Sequence, residues 1–135
     1  FAKLPIGKAR YGLMLREDGH VMDDGTSARL GENHFLVTTT TAAAGQVMRH
    51  LEFVHQCLVP QMDVRFVSVT EQWAQFAVAG PKSRDLLNGL LDKPIDDETW
   101  PFMSCGDVSI GEVKVRLFLM SLSGERGYDI AVPAR

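Results

Sequence analysis

Short runs of alternating apolar and polar residues dominate the first forty positions of the chain. The runs Tyr11–Leu15 and Val21–Leu30 are separated by the polar turn Arg16–His20, in which a glycine permits the positive φ of a tight turn. A second turn at 31–34 leads into Phe35–Thr40, which is rich in the β-branched residues that favour strands. Connections this short join antiparallel neighbours, so the three runs predict an antiparallel meander.

The next periodic segment has helical spacing. Thr41 is a suitable N-cap and Pro60 is a stop signal. The spacing predicts a helix over about Ala42–Leu58 that packs on a sheet through one apolar face, formed by Val47, Leu51, Val54 and Leu58.

The second half of the chain reads as further strands around one more helix. Gly80-Pro81 closes a strand and opens a helix, and an acidic loop follows at 92–98. The leucines predicted to form the apolar face of this helix are Leu86, Leu87, Leu90 and Leu91. The predicted strands are Val64–Thr70, Trp73–Val78, Asp107–Ile110, Glu112–Met120 and Tyr128–Val132. The sum is an α+β fold with a mostly antiparallel sheet and about two packed helices.

Composition narrows the class of protein without identifying it. The 135 residues suffice for a single domain, 1–135, and 45% hydrophobic with 23% charged residues is ordinary globular composition. The net charge of -3 argues against a nucleic-acid partner, and no apolar run approaches the length of a membrane span. The chain starts without Met and stops just after a strand-like run, so we expect a fragment of a longer polypeptide. The two cysteines, Cys57 and Cys105, predict buried free thiols, which suits the cytoplasm.

Several chemical signatures are missing from the sequence. It has neither a Gly-x-Gly-x-x-Gly fingerprint nor a Walker loop. His50 and His55 are five apart and do not share a helix face, so no metal site is predicted. Ser83 has no neighbouring base to make it a nucleophile.

Two acidic stretches remain as candidates for chemistry. Asp23 and Asp24 end an apolar stretch, and neighbouring strand residues point to opposite faces, so one of the two must point inward. The loop before the last strand carries Glu125 and Asp129 between glycines. Either these acids satisfy nearby backbone N–H groups, or they meet at one pocket where one accepts paired N–H donors and the other stabilises developing charge. The pattern alone does not choose between these interpretations.

The order of motifs resembles the aminomethyltransferase family, which includes the T-protein of the glycine cleavage system and the folate domains of dimethylglycine and sarcosine oxidases. The motifs that carry the resemblance are Gly19-His-Val-Met-Asp-Asp24, Phe35-Leu-Val-Thr38, Phe76-Ala-Val-Ala-Gly-Pro81 and Ser123-Gly-Glu-Arg-Gly-Tyr-Asp-Ile130. They occur in the family's order and cover most of the chain. The sequence around Asp23-Asp-Gly-Thr26 is most similar to that of alpha subunits of heterotetrameric sarcosine oxidases.

The resemblance implies a role for four side chains. Asp24 matches the family's catalytic carboxylate, which lies beside the bridging nitrogen of tetrahydrofolate, so we expect Asp24 to point inward while Asp23 caps or faces solvent. Tyr11 matches a tyrosine that packs on the folate. Asp129 replaces the glutamate that binds the pterin ring and is one methylene shorter, and Glu125 matches the first acid of the same loop. Leu122 stands where many relatives have Tyr, which removes one aromatic contact.

The resemblance also implies partners and a reaction. It predicts capture of a one-carbon unit by tetrahydrofolate, with flavin and NAD bound elsewhere in a longer enzyme and other subunits of a heterotetramer as partners. The isolated fragment is then expected to be inactive. Two alternatives stay open: a non-catalytic folate-sensing or assembly module of the same fold, and an unrelated α+β interaction domain.

Overall fold

Two antiparallel sheets form the framework of the protein. The structure is a computed structural model that describes residues 1–134. The first sheet has the order β1-β2-β3, with β1 at Lys8–Leu15, β2 at Val21–Gly31 and β3 at His34–Val37. The second has the order β4-β7-β6-β5, and its strands are β4 (Trp73–Ala79), β5 (Cys105–Ile110), β6 (Val113–Leu119) and β7 (Gly127–Pro133). The predicted meander and the α+β class are confirmed.

The first helical segment runs continuously from Thr41 to Leu58. It starts as a 3-10 turn at Thr41–Ala43, continues as α1 at Ala44–Phe53 and ends in a wider π turn at Val54–Leu58. The predicted helix is therefore confirmed, but the N-cap is wrong, and of the predicted apolar face Val47 is buried whereas Leu58 is 60% exposed. Thr40 occupies the cap position without a side-chain cap hydrogen bond, and Thr41 lies inside the first turn.

The second helix, α2, spans Ser83–Asn88 and begins two residues after Pro81. Leu87 is fully buried and Leu91 nearly so, whereas Leu86 and Leu90 are more than half exposed. Leu91 follows the end of α2, but its N–H donates to the Leu87 carbonyl at 2.9 Å, so the helical turn continues and only one of the two predicted leucine pairs packs on the sheet.

The predicted strand Val64–Thr70 is wrong. Residues 64–69 join neither sheet, and Thr70–Gln72 forms a 3-10 turn that leads into β4. A strand requires a neighbour for its backbone N–H and C=O groups, and among residues 1–134 β4 pairs with β7 alone. The alternating sequence has high β propensity, but propensity alone does not place a neighbouring strand beside it.

Two hydrophobic clusters lie on opposite faces of the second sheet. On one face, Leu117, Tyr128 and Ile130 pack against Leu87 and Leu91. On the other, the cluster that joins the two sheets contains residues of both, namely Ala9, Ala28, Cys105, Phe118 and Ala131. Because side chains alternate along a strand, β7 contributes Tyr128 and Ile130 to one cluster and Ala131 to the other.

The two cysteines are both free, as predicted, but they differ in burial. Cys105 is buried between the sheets, and burial raises the pKa of its thiol. Cys57 is exposed, so the prediction of a buried thiol is wrong there. Cys57 lies in the π turn at the end of the first helical segment, outside both clusters.

Candidate functional site

The Asp23-Asp-Gly-Thr26 stretch of β2 is held by the chain that follows β3. Thr38 donates its backbone N–H to the Thr26 carbonyl at 2.8 Å, and the Thr26 N–H donates to Thr38 Oγ1 at 2.9 Å. A Cβ on Gly25 would lie 1.9 Å from the Thr38 carbonyl oxygen, so only glycine fits this crossing. The position of the acid pair is therefore fixed by backbone contacts on its C-terminal side.

Asp23 is the buried member of the pair. Its side chain is 7% exposed, and Oδ2 accepts the Thr40 N–H at 2.9 Å. The side chain and the backbone N–H of Thr40 lower the pKa of Asp23 and outweigh the opposing effect of burial. The expected capping role of Asp23 is found here, because it satisfies a backbone donor just before the helical segment.

Asp24 is exposed, which corrects the expectation that it is the inward acid of the pair. It pairs in register with Leu13, and Tyr11 Oη donates a hydrogen bond to Asp24 Oδ2 at 2.8 Å. This bond is the main cause of the raised pKa of Tyr11, since the carboxylate stabilises the protonated phenol. The Asp24 carboxylate is exposed and accepts a side-chain hydrogen bond from Tyr11. It therefore does not serve as a turn acid that satisfies nearby backbone N–H groups.

The sheet face that carries Asp24 is also the one that packs between the sheets. Cross-strand partners and every second residue share a face, so Ala9 and Ala28 point the same way as Tyr11, Leu13 and Asp24. Ala9 and Ala28 are covered by the second sheet, whereas Tyr11 and Leu13 are 57% and 56% exposed. The second sheet thus covers one end of this face and leaves an apolar surface around Asp24. We call Tyr11, Leu13, Leu15, Val21 and Asp24 the Tyr11–Asp24 surface.

Asp129 lies in the interior of the second sheet, half-buried in β7 between Ala77 of β4 and Phe118 of β6. Burial raises the pKa of its carboxyl group, and a contact with the Gln75 side chain opposes part of the rise. Among residues 1–134, no cation forms an ion pair with Asp129. A half-buried carboxylate without a cation is a costly arrangement, which is typical of a group that meets a ligand.

Glu125 is exposed in the loop between β6 and β7. Its carbonyl oxygen accepts a hydrogen bond from Ser121 Oγ at 2.7 Å, and Gly124 supplies the positive φ of the turn. Within residues 1–134, no hydrogen bond joins Glu125 or Asp129 to Tyr11 or Asp24. The structure therefore brings Tyr11 together with Asp24 and places Glu125 and Asp129 on one loop and strand, without joining the two pairs.

Two cavities lie away from these four side chains. One, of about 500 Å³, lies between the β1–β2 turn and α1, and Arg16, Glu17 and His50 are among the residues that line it. The other, of about 430 Å³, is lined by Leu30 of β2 together with Cys105 and Arg116 of the second sheet. Neither is lined by Tyr11, Asp24, Glu125 or Asp129.

Among residues 1–134, no cluster of three or more His, Cys, Asp or Glu side chains has the arrangement of a metal site. None of the helices described is long and apolar enough to cross a membrane.

A network of charged residues that the sequence did not indicate lies beside the loop. Arg84 of α2 donates Nε to the hydroxyl of buried Tyr128 at 3.1 Å and pairs with Asp97. Arg126 reaches the same Asp97 oxygen at 3.2 Å. Its bonded pairs are 13 to 44 positions apart in the chain, so no local motif marks them.

Known proteins provide the decisive comparison. The profile of the GCVT N-terminal domain family matches residues 1–135. The chain belongs to this family. It is 57% identical to the sarcosine oxidase subunit alpha of Rhizobium meliloti (strain 1021) and 43% identical to that of Corynebacterium sp. (strain P-1). Each match covers 99% of this chain and 14% of the relative.

More distant relatives share the fold. The aminomethyltransferase of Staphylococcus haemolyticus is 31% identical over 95% of this chain, and the match covers 34% of that enzyme. The crystal structure of the glycine cleavage system aminomethyltransferase T from Bartonella henselae superposes with a TM-score of 0.80 at 23% identity, over 98% of this chain and 33% of that one. The chain thus spans about a seventh of the sarcosine oxidase subunits and a third of the aminomethyltransferases. The resemblance to the aminomethyltransferase family is confirmed.

Proposed function

We propose that this chain is the tetrahydrofolate-binding portion of a sarcosine oxidase alpha subunit. In that enzyme it would help capture the one-carbon unit of an amine-derived imine, to give methylenetetrahydrofolate and glycine. The observation that carries the proposal is the Tyr11–Asp24 hydrogen bond on an apolar surface, in a chain 57% identical to such a subunit.

The Tyr11–Asp24 surface has the chemistry that a reduced folate requires. An exposed aromatic ring beside Leu13 and Leu15 offers a flat apolar face to a heterocycle or an aminobenzoyl ring. The carboxylate of Asp24 has one hydrogen bond to Tyr11, which leaves capacity to accept a proton or another donor. Negative charge at this point would stabilise an incoming iminium carbon and favour deprotonation of the attacking nitrogen.

Asp129 and Glu125 are the proposed pterin contacts. The pterin edge presents adjacent N–H donors, and a carboxylate accepts two parallel donors well. Asp129 lacks a cation partner within residues 1–134, so a ligand that donates hydrogen bonds would relieve the cost of its burial. Tetrahydrofolate supplies the nucleophilic nitrogen, and the protein residues orient it and accept its proton.

The remaining parts of the reaction are assigned to the rest of a longer enzyme. We propose that flavin and NAD bind elsewhere in it, where the N-methyl amine is oxidised, and that other subunits of a heterotetramer are its partners. The free thiols Cys57 and Cys105 suit the reducing environment of the cytoplasm, which is the proposed location. In isolation the 135-residue chain, as a fragment of a larger folate-binding region, is expected to be inactive.

The test separates oxidation from one-carbon capture in the full-length enzyme. Asp24→Asn should leave peroxide production from the amine unchanged and sharply reduce the yield of methylenetetrahydrofolate. Glu17→Gln is the matched control, because Glu17 is an exposed acid in the turn of the same hairpin. Normal methylenetetrahydrofolate formation by Asp24→Asn would contradict the catalytic role and favour the non-catalytic folate-sensing module.

A further inference from the structure

We propose that Arg84 and Asp97 are positioning residues, which fix the loop bearing Glu125 and the direction of Asp129 for ligand binding. The proposal rests on the proposed function, since it assumes that these two acids contact the folate. It assigns a role to α2 and to the acidic loop at 92–98, neither of which contributes a residue to the proposed contacts.

The backbone between the two acids is held by the start of α2. The Arg126 carbonyl oxygen accepts two hydrogen bonds, from the Gly80 N–H at 2.9 Å and from Ser83 Oγ at 3.0 Å. Gly127 fits tightly against β6, because a Cβ there would lie 2.7 Å from the Met120 carbonyl oxygen. Glu125 itself is exposed, so its position depends on these neighbours.

The side chains on either side of Gly127 are held by one ionic network. The Arg84 guanidinium bonds the Tyr128 hydroxyl through Nε and Asp97 through its terminal nitrogen, while Arg126 bonds the same Asp97 carboxylate. All three residues between Glu125 and Asp129 are thereby fixed. The Arg84 guanidinium also lowers the pKa of Asp97, so the carboxylate stays ionised and bonded to both arginines near neutral pH.

The network bonds Tyr128, the neighbour whose burial sets which way Asp129 points. Tyr128 is 1% exposed and packs toward α2, and successive strand residues point to opposite faces. Asp129 is therefore directed to the face that the second sheet turns toward the first, where Ala131 and Phe118 pack. Rotation of β7 at Tyr128 would move the Asp129 carboxylate away from this face.

The same network contributes little to overall stability. Asp97 is 69% exposed, and ion pairs with a solvated partner contribute little to folding. A purely structural role therefore predicts a small change in thermal stability and no change in folate affinity. A positioning role predicts a change in affinity that is larger than the change in stability.

The experiment uses the full-length enzyme with its partner subunits. Asp97→Asn removes the charge that both arginines share, and Asp97→Glu restores it at an exposed position that tolerates one more methylene. The control is Asp107→Asn, which breaks the Arg116–Asp107 pair between β5 and β6 of the second sheet. Arg116 and Arg84 are similarly buried, with 15% and 16% of their side chains exposed.

Three readouts decide the question. Calorimetric titration with 5-formyltetrahydrofolate should give a Kd about tenfold weaker in Asp97→Asn, and close to wild type in Asp97→Glu and Asp107→Asn. Amide hydrogen exchange at 121–127 should accelerate in Asp97→Asn alone. The KM for the amine should not change in any of the variants.

Asp129→Asn, measured in parallel, separates the possible failures. If Asp129→Asn weakens folate binding while Asp97→Asn does not, the positioning role is wrong and the proposed function stands. If Asp129→Asn binds folate like wild type, the proposed pterin contact is wrong, and the positioning role falls with it. Equal losses of thermal stability in Asp97→Asn and Asp107→Asn, with unchanged Kd values, would show a merely structural pair.

Discussion

The tightest contact near the proposed site lies at Gly25, and its removal gives the sharpest prediction. Gly12 and Gly25 are directly opposite each other in β1 and β2. A Cβ on Gly12 meets nothing within 4 Å, whereas a Cβ on Gly25 would lie 1.9 Å from the Thr38 carbonyl oxygen. The same substitution at two paired positions therefore differs mainly in the space available.

The magnitude follows from the contacts that must move. An ordinary contact needs 3.4 Å, so Gly25→Ala must displace the segment at Thr38 by about 1.5 Å. That shift breaks the two hydrogen bonds that the backbone N–H groups of Thr26 and Thr38 donate, and it disturbs the Asp23–Thr40 bond at 2.9 Å. At about 1 kcal/mol for each bond, Gly25→Ala should lower the free energy of unfolding by about 2 to 3 kcal/mol. Gly12→Ala should be neutral or stabilising by less than about 1 kcal/mol.

Urea denaturation of the 135-residue chain, followed by tryptophan fluorescence, measures this difference. Trp73 and Trp100 both pack against the hydrophobic clusters, so their emission reports loss of the fold. Equal midpoints for Gly12→Ala and Gly25→Ala would contradict a clash between residue 25 and the Thr38 carbonyl. A lower midpoint for Gly25→Ala alone, with reduced affinity for 5-formyltetrahydrofolate in the full-length enzyme, would link the contact between Gly25 and Thr38 to the position of Asp24.

Three further predictions concern the cores, the buried acid Asp23 and the half-buried acid Asp129. Leu117→Ala removes a fully buried side chain and should cost about 2 to 5 kcal/mol in urea denaturation, whereas Leu86→Ala, at an exposed position, should leave the midpoint nearly unchanged. The pKa of Asp23 is lowered by Thr40, so its stabilisation is complete above the unfolded pKa of about 3.9 and is lost as pH falls through the folded value. Asp23→Asn should therefore reduce the loss of stability in acid, and an unchanged pH profile of urea midpoints would contradict this. The pKa of Asp129 is raised by burial, so its charge destabilises the fold increasingly as pH rises from about 3.9 through the folded pKa. Asp129→Asn should be more stable than wild type at pH 7 while binding folate less well, and a lower urea midpoint at pH 7 would argue against an unpaired buried charge.

The sequence predicted those strands whose pairing is local. The runs that became β1, β2 and β3 are joined by short turns, so each neighbour in sequence is also a neighbour in the sheet. Residues 64–69 have the same alternating composition but lack such a partner among residues 1–134. Strand propensity is a local property, whereas pairing depends on the rest of the fold.

In the candidate site, too, local features were predictable from the sequence, whereas features that depend on distant parts of the fold were not. Alternation correctly required Asp23 and Asp24 to point to opposite faces, but the sequence could not say which face the second sheet covers. The register that pairs Asp24 with Leu13 decides its face, and the limited extent of the second sheet leaves it exposed. The Arg84–Asp97 network was not predicted, because contacts between distant residues leave no periodic signal.

The roles of Asp24 and Asp129 can be tested most directly by a crystal structure of the full-length alpha subunit with a reduced folate analogue. We predict that the analogue packs on Tyr11, with the Asp24 carboxylate about 3 Å from the nitrogen that links the pterin to the aminobenzoyl ring. Asp129 should accept N–H donors from the pterin edge in the same complex. An analogue bound elsewhere, with Asp24 still facing water, would contradict the account.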